Sequence, residues 1–209
     1  MSQTERHKRL RLLLSKLNKE RKQQAGKIDI LCNDLISAQR SFIQRLYTIS
    51  FAAEFYRSLL GSPDLNNLLA RADRAIRREL PGTGVTFYLR QSEGCEPYSF
   101  VGDEMFSCEQ TGPQEYFTAE LVDGICKSNK ICSLADLSSI DPAGEMRGLQ
   151  KFSIVTLPLS DLGRSLGFVV LWRPSPLTVT AEEVGRVESV MCGLSQAIRG
   201  ARVPLHSGD

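Results

Sequence analysis

The chain has 209 residues, of which 42% are hydrophobic, and it carries a formal net charge of +2 at pH 7. This length and composition predict one domain of ordinary size, with a real hydrophobic core, plus an appended segment. No apolar run approaches the ~20 residues that span a membrane, and the N-terminus lacks the long apolar stretch of a secretion signal. We therefore expect a cytoplasmic protein.

Residues 1–60 are predicted to form a basic arm that continues into one long helix. Residues 1–27 contain nine Lys or Arg and two Asp or Glu, a net charge of +7. Apolar residues then recur at steps of three, four and seven, which is the spacing of a coiled-coil seam. The seam is weak where Arg21 and Gln24 occupy it and Gly26 follows. We expect a homodimer, paired in parallel, whose interface consists of Ile28, Leu31, Leu35, Ala38, Phe42 and Ile49.

Two alternatives remain open for this segment. The helix could instead fold back on its own domain. The arm could also contact nucleic acid or anionic lipid, because basic residues flank a stripe made of Leu10, Leu13, Leu14 and Leu17. A solvated start of the coiled coil explains the same residues more simply.

Residues 61–202 are predicted to form the folded domain, with 203–209 as a flexible tail. Ser62 is the expected cap of a helix that reaches Leu80. Further elements are then predicted in chain order: a strand at 85–89, a strand at 98–106 interrupted at residues 102–104, a helix at 114–129, a short strand at 131–134 and a loop at 141–150.

The last third of the chain is the most informative. Residues 153–159 are rich in apolar and β-branched side chains, Asp161-Leu162-Gly163 supplies turn residues, and residues 167–172 are apolar without interruption. A strand with one exposed face alternates, so this second run predicts a central strand buried on both faces. With a closing helix, the order predicts an α+β domain built on a mostly antiparallel sheet.

Four segments between residues 64 and 199 carry a family likeness through their order and spacing. They are the helix NNLLARADRAIRREL leading into GTGVTFYLRQ, the helix and strand AELVDGICKSNKICSLADL, the hairpin SIVTLPLSDLGRSLGFVVLWR, and the helix that begins TAEEVGRVESV. Together they resemble the GAF domain family. The resemblance implies a central antiparallel sheet with helices on both faces, the first and last on one face. It also implies a small-molecule pocket on the other face, roofed by residues 106–150, and dimerisation through flanking helices.

The resemblance also suggests which side chains surround that pocket, although most of them could equally pack the core. The candidate ligand-binding residues are Phe100, Phe106, Phe117, Leu121, Met146, Arg147, Leu149, Phe152, Ser153, Val155 and Thr156. Residues 138–148 would be the lid. The sequence does not indicate a cofactor.

The residues that several functions of the family require are absent from this sequence. Cyclic-nucleotide binding would need acidic residues four positions after Phe152, where Thr156 and Leu157 stand, and no cysteine has the neighbouring histidine of a bilin site. Both histidines, His7 and His206, lie near the chain ends, so no imidazole-based catalytic or metal site is expected inside the fold. We predict no enzymatic activity and no metal.

The cysteines keep one enzymatic alternative open. Methionine sulfoxide reductases of the family use clustered thiols, and four of the six cysteines fall near the expected roof: Cys95, Cys108, Cys126 and Cys132. The Cys-Gly and histidine-containing motifs of those enzymes are absent, and free packing thiols are the simpler interpretation.

Three functions therefore remain. The first is a dimeric sensory or regulatory GAF module that binds a small molecule or a partner protein and signals through helix packing. The second is a scaffold with a degenerate pocket, and the third, remote one is the thiol-based reductase. No output domain follows Arg199, so we expect a signal to pass to a downstream protein.

Overall fold

The computed structural model describes residues 3–92, 94–101, 104–106, 112–140 and 146–202. The chain divides into two compact units, with the boundary between Tyr47 and Thr48. Helix α1, Gln3–Leu59, contributes to both. Its last turns bury Phe51, Phe55 and Leu59 in the domain core, so the domain begins earlier than residue 61. The predicted tail, 203–209, lies outside the described residues.

The N-terminal unit is the part of α1 that precedes Thr48. No proline occurs before Pro63, so nothing in the sequence interrupts the backbone hydrogen bonds of this helix. The expected seam residues are exposed in the single chain: Ile28, Leu31, Leu35, Phe42 and Ile49 retain 58–68% of their accessible surface. Across the described part of the chain, no helix is both long and apolar enough to cross a bilayer.

The second unit is an α+β domain built on a six-stranded sheet. The strands, in the order of the sheet, are β3 (Glu104–Phe106), β2 (Gly94–Val101), β1 (Gly84–Gln91), β6 (Arg164–Pro174), β5 (Phe152–Asp161) and β4 (Cys132–Ser133). Every neighbouring pair is antiparallel. The strand predicted to be central, β6, lies in the middle of the sheet beside β1, and the predicted fold class is confirmed.

Helices cover both faces of this sheet. One face packs against the end of α1, α2 (Leu65–Glu79) and α6 (Ala181–Arg202), and the other against α3 (Ala119–Ser128), α4 (Leu134–Ile140) and α5 (Met146–Leu149). Strand β6 supplies Val169 and Leu171 to the first core and Phe168 and Val170 to the second. All four are at most 1% exposed, as the uninterrupted apolar run predicts.

The structure corrects three local predictions. The cap of α2 is Asp64, whose carboxylate accepts a hydrogen bond from the Asn67 amide at 2.8 Å, while the Ser62 hydroxyl donates to the Leu59 carbonyl. The helix predicted at 114–129 is split into a 3-10 turn, Pro113–Tyr116, and α3, because Thr118 caps α3. The third difference is the strand predicted at 98–106, which is two strands, β2 and β3, paired antiparallel.

A half-buried ion pair joins the end of β6 to the start of α6. Arg173 makes two hydrogen bonds to the Glu183 carboxylate, at 2.7 and 3.1 Å, and a third to the Thr83 hydroxyl. Thr180 and Glu183 form a capping box at the first turn of α6. Burial alone would raise the pKa of Glu183, but the hydrogen bonds from Arg173 and Thr180 lower it to about 2. The carboxylate therefore stays charged through the physiological range.

We predict that Gly167→Ala destabilises the domain by about 2–4 kcal/mol. Gly167 has a φ of 138°, and a Cβ there would overlap the Tyr88 carbonyl oxygen of the neighbouring strand. Gly185→Ala is the matched control, because nothing lies within 4 Å of its Cβ in α6. It should be neutral or stabilising by up to about 1 kcal/mol. Urea denaturation measures both; equal stability of the two variants would contradict the register.

Candidate functional site

A cavity of about 540 Å³ opens on the sheet face opposite α2 and α6. It lies between the β1–β2 hairpin, the 3-10 turn and the first turns of α3. It is on the face where the resemblance places a pocket, and part of its lining, between residues 114 and 123, belongs to the segment expected as the roof. The lining residues are Tyr88, Arg90, Gln91, Ser92, Gly94, Cys95, Pro97, Gln114, Phe117, Ala119, Val122 and Asp123.

Stacked aromatic rings form the apolar floor of the cavity. The Tyr88 ring lies 4.8 Å from Phe168 at an interplanar angle of 10°, and 5.3 Å from Phe117 at 26°. Tyr88 and Phe168 are 4% and 1% exposed, so these two rings are held by the sheet. Phe117 is half-buried and follows the 3-10 turn. Phe117 is therefore the ring of this stack that is best placed to contact a planar or apolar group in the cavity.

Hydrogen bonds hold the 3-10 turn against the sheet beside this floor. Gln114 Nε2 donates to Thr86 Oγ1 and to Ser99 Oγ, both at 2.9 Å. Ser99 Oγ in turn donates to Thr86 Oγ1 at 3.2 Å. The next residues enter α3, where Thr118 Oγ1 accepts a hydrogen bond from the Leu121 amide. The polar wall of the cavity is therefore positioned by strand residues.

Charged groups of both signs stand among the lining residues. Arg90 lies at the end of β1, and Asp123 lies on α3. Asp123 pairs with Lys127 at 2.6 Å, and the hydrogen bond from Lys127 lowers the pKa of Asp123. The rim can therefore orient a polar or zwitterionic ligand above an apolar floor.

Two thiols meet at one wall of the cavity. Cys95 Sγ and Cys126 Sγ are 3.5 Å apart, although 31 residues separate them in the chain. Burial, together with the hydrogen bond to Cys126, raises the pKa of Cys95 to about 12. A protonated thiol is a poor nucleophile. Cys132 is bonded elsewhere, with Sγ donating to the Lys130 carbonyl, and Cys108 lies outside the described residues.

The predicted pocket residues do not gather at one place. Phe117 lines the cavity, and Leu121 and Leu149 are buried in the core between the sheet and α3–α5. Phe100 points to the opposite face and packs in the core of α2 and α6. Because side chains alternate along a strand, Ser99 of β2 faces the 3-10 turn and its neighbour Phe100 cannot.

The remaining candidates either lie on β5 or have side chains that the structure does not describe. Phe152, Ser153 and Val155 line a separate groove of about 480 Å³ beside residues 175–179. There the Ser153 hydroxyl accepts a hydrogen bond from the Val179 amide at 3.1 Å. Thr156 is fully buried and donates to the Cys132 carbonyl. The side chains of three candidates, Phe106, Met146 and Arg147, lie outside the described residues.

Sequence reasoning placed Cys95 near the cavity but missed two other lining residues, Tyr88 and Gln114. A signal for Tyr88 was present, because Val85, Phe87 and Leu89 alternate with Thr86 and Tyr88 and so place those two on the other face. No local pattern marked Gln114. Its partners, Thr86 and Ser99, lie 28 and 15 residues away.

No protein-family model and no curated protein matches the chain. Solved structures similar to it include the GAF domain from Acinetobacter phosphoenolpyruvate-protein phosphotransferase, with 13% identity over 74% of this chain and 94% of that one and a TM-score of 0.52. The GAF domain from a phosphoenolpyruvate-protein phosphotransferase (ptsP) of Coxiella burnetii shows 14% identity, the same coverages and a TM-score of 0.52. The fRMsr of Staphylococcus aureus, in complex with substrate, shows 9% identity over 72% and 95% of the chains and a TM-score of 0.50.

These likenesses show the fold. The domain has a GAF-like fold, as the sequence resemblance implied, and a long N-terminal helix precedes its antiparallel sheet, as the apolar spacing predicted. At identities of 9–14% they do not transfer a ligand or a reaction. Among the described residues, no group of three or more His, Cys, Asp or Glu side chains is arranged to hold a metal ion.

We predict that Cys95 is alkylated by iodoacetamide at pH 7.5 at least about tenfold more slowly than the exposed Cys32 and Cys192. A pKa of about 12 leaves almost no thiolate at that pH. Peptide mass spectrometry measures the rates, and labelling in urea is the control in which all sites should react alike. Labelling of Cys95 as fast as Cys192 would indicate an activated thiol and favour the reductase alternative.

Proposed function

We propose that this protein is a regulatory module in which a small molecule binds the cavity beside Tyr88 and alters helix packing in a homodimer. The observation that carries the proposal is the cavity itself. Its volume of about 540 Å³ falls in the range of small-molecule sites, and its aromatic floor and polar rim have the composition of such sites. The module is proposed to be non-enzymatic and to pass its signal to a partner protein.

A route from the cavity to the helices runs through β1. Tyr88 faces the cavity, whereas its chain neighbours Phe87 and Leu89 are fully buried in the core on the other side of the sheet. That core also contains Phe55 and Leu59 of α1. Because such interiors are close-packed, a ligand that shifts Tyr88 must also shift the surroundings of α1.

The exposed seam of α1 supports self-association. Leu31 and Leu35 are 66% and 68% exposed in the single chain, and a second copy would bury them knobs-into-holes. Residues 28–49 contain two acidic and two basic residues. This segment is neutral, so pairing in parallel brings no net repulsion.

Two other functions are the alternatives. A scaffold would keep the helix and leave the cavity empty, and no specific observation favours it. The reductase is favoured by the contact between Cys95 and Cys126 and by the fold likeness to fRMsr, but the raised pKa of Cys95 opposes it. A thiol that remains protonated cannot begin attack on sulfur.

We predict that native mass spectrometry of the purified full chain shows a non-covalent small-molecule adduct, and that Ala119→Trp removes it. Ala119 is exposed at the first position of α3 and lines the cavity, so a bulky ring there fills the space with little cost to the fold. Ala181→Trp is the matched control, since Ala181 is exposed at the first position of α6. An empty wild-type chain would favour the scaffold; an adduct unaffected by Ala119→Trp would place the ligand elsewhere.

We predict that Leu31→Asp/Leu35→Asp converts a wild-type dimer to a monomer, because each seam would then carry adjacent like charges in place of buried leucines. Sedimentation velocity measures the change. Asn33→Asp/Ser37→Asp adds the same charge on the opposite side of the helix and should remain dimeric. A seam variant that stays fully dimeric would refute the α1 interface while leaving the cavity proposal intact.

A further inference from the structure

Helix α1 contains two chemically different apolar segments. Residues 28–49 have a net charge of zero, whereas residues 5–22 carry eight Lys or Arg and two Asp or Glu, a net charge of +6. Between the two segments, Arg21 and Gln24 interrupt the seam, and Gly26 follows. We call residues 5–22 the basic segment.

The basic segment is amphipathic. At 100° per residue, Leu10, Leu13, Leu14 and Leu17 fall within an arc of about 100°. These leucines are 54–65% exposed. The basic residues cover the rest of the circumference and also the ends of the stripe: Arg6, Lys8, Arg9, Arg11, Lys16, Lys19, Arg21 and Lys22. Leu12 lies on the basic side and is not part of the stripe.

A second copy of the chain is a poor occupant for this stripe. Pairing in parallel through residues 28–49 would bring two basic segments together, each with a net charge of +6. Their repulsion opposes continuation of the coiled coil toward the N-terminus. An occupant that covers the leucines and neutralises the surrounding cations must be apolar and anionic.

We propose that the basic segment binds the surface of an anionic phospholipid bilayer, with the leucine stripe in the interface and the basic side chains against the lipid phosphates and carboxylates. An apolar stripe flanked by Lys and Arg is the pattern of helices that lie in this interface, and clustered basic residues add attraction to anionic headgroups. Nucleic acid would use the same cations, but binding to its phosphates needs no exposed leucine stripe. The chemistry of the segment therefore favours lipid.

Lipid binding by the basic segment does not depend on a ligand in the cavity, and dimerisation would strengthen this binding. Two segments joined through the seam bind one bilayer together, so the second contact is intramolecular and avidity rises. A monomer would retain the preference for anionic lipid at lower affinity.

The test is co-sedimentation of the full chain with vesicles of phosphatidylcholine alone or with 30% phosphatidylserine, at about 150 mM salt. We expect at least about tenfold stronger partitioning to the anionic vesicles. Leu10→Gln/Leu14→Gln should weaken it about tenfold or more without changing the charge. Arg9→Gln/Arg11→Gln lowers the net charge of the segment from +6 to +4 and should reduce the preference for phosphatidylserine. Leu12→Gln and Arg40→Gln/Arg45→Gln are the controls and should bind as wild type does.

Two outcomes would overturn the proposal. The first is equal partitioning of the wild-type chain to neutral and anionic vesicles. The second is tight binding to a duplex DNA probe that the Leu10→Gln/Leu14→Gln variant retains in full, which would assign the segment to nucleic acid. Sedimentation velocity of each variant, run in parallel, separates loss of lipid binding from loss of the dimer.

Discussion

The double burial of β6 is the constraint on which the rest of the domain depends. Phe168, Val169, Val170 and Leu171 alternate between the two faces of the sheet, and each needs an apolar cover. A strand of this kind is stable only in the middle of a sheet whose two faces are both covered. Its neighbours β1 and β5, and helices on both sides, follow from that requirement. Gly167 lets the strand pass close to the Tyr88 carbonyl at the point where it joins β1.

The two faces of the sheet are covered in different ways, and the difference creates the cavity. One face lies under three long helical elements, which are the end of α1, α2 and α6. The other lies under short elements, of which α3, with ten residues, is the longest among those described. Short elements leave space beside the β1–β2 hairpin, where Tyr88 and Phe117 line the cavity. Ligand binding is therefore proposed on the less completely covered face and its output on the closed face.

Charge divides α1 as clearly as hydrophobicity does. Apolar residues recur along most of its length, yet residues 28–49 have no net charge and the basic segment, residues 5–22, has a net charge of +6. Two segments with the same apolar spacing are therefore proposed to bind different partners: a second copy of the chain at residues 28–49 and an anionic bilayer at the basic segment. Like-charge repulsion disfavours a second copy at one segment and has no effect at the other. An interpretation from hydrophobic spacing alone treats both segments as a single coiled coil.

The sequence by itself determined the elements and the class of fold. Period-two and continuous apolar runs identified β1, β5 and β6, and the turn residues at 161–163 identified the hairpin. These patterns are local, since each depends on residues within a few positions of one another. The alternation of side chains along a strand also determines which residues share a face of the sheet. It does not determine which helices cover that face, and for this reason Phe100 was wrongly predicted to line the pocket.

Only the tertiary structure decided where the candidate site lies. The contact of Cys95 with Cys126 spans 31 residues, and that of Gln114 with Thr86 spans 28. Such contacts depend on how α3 and the 3-10 turn dock against β2, and this docking is settled by the packing of the whole core rather than by any local spacing. For the same reason the cavity consists mainly of residues with no distinguishing motif, gathered from the ends of elements that are remote in the chain.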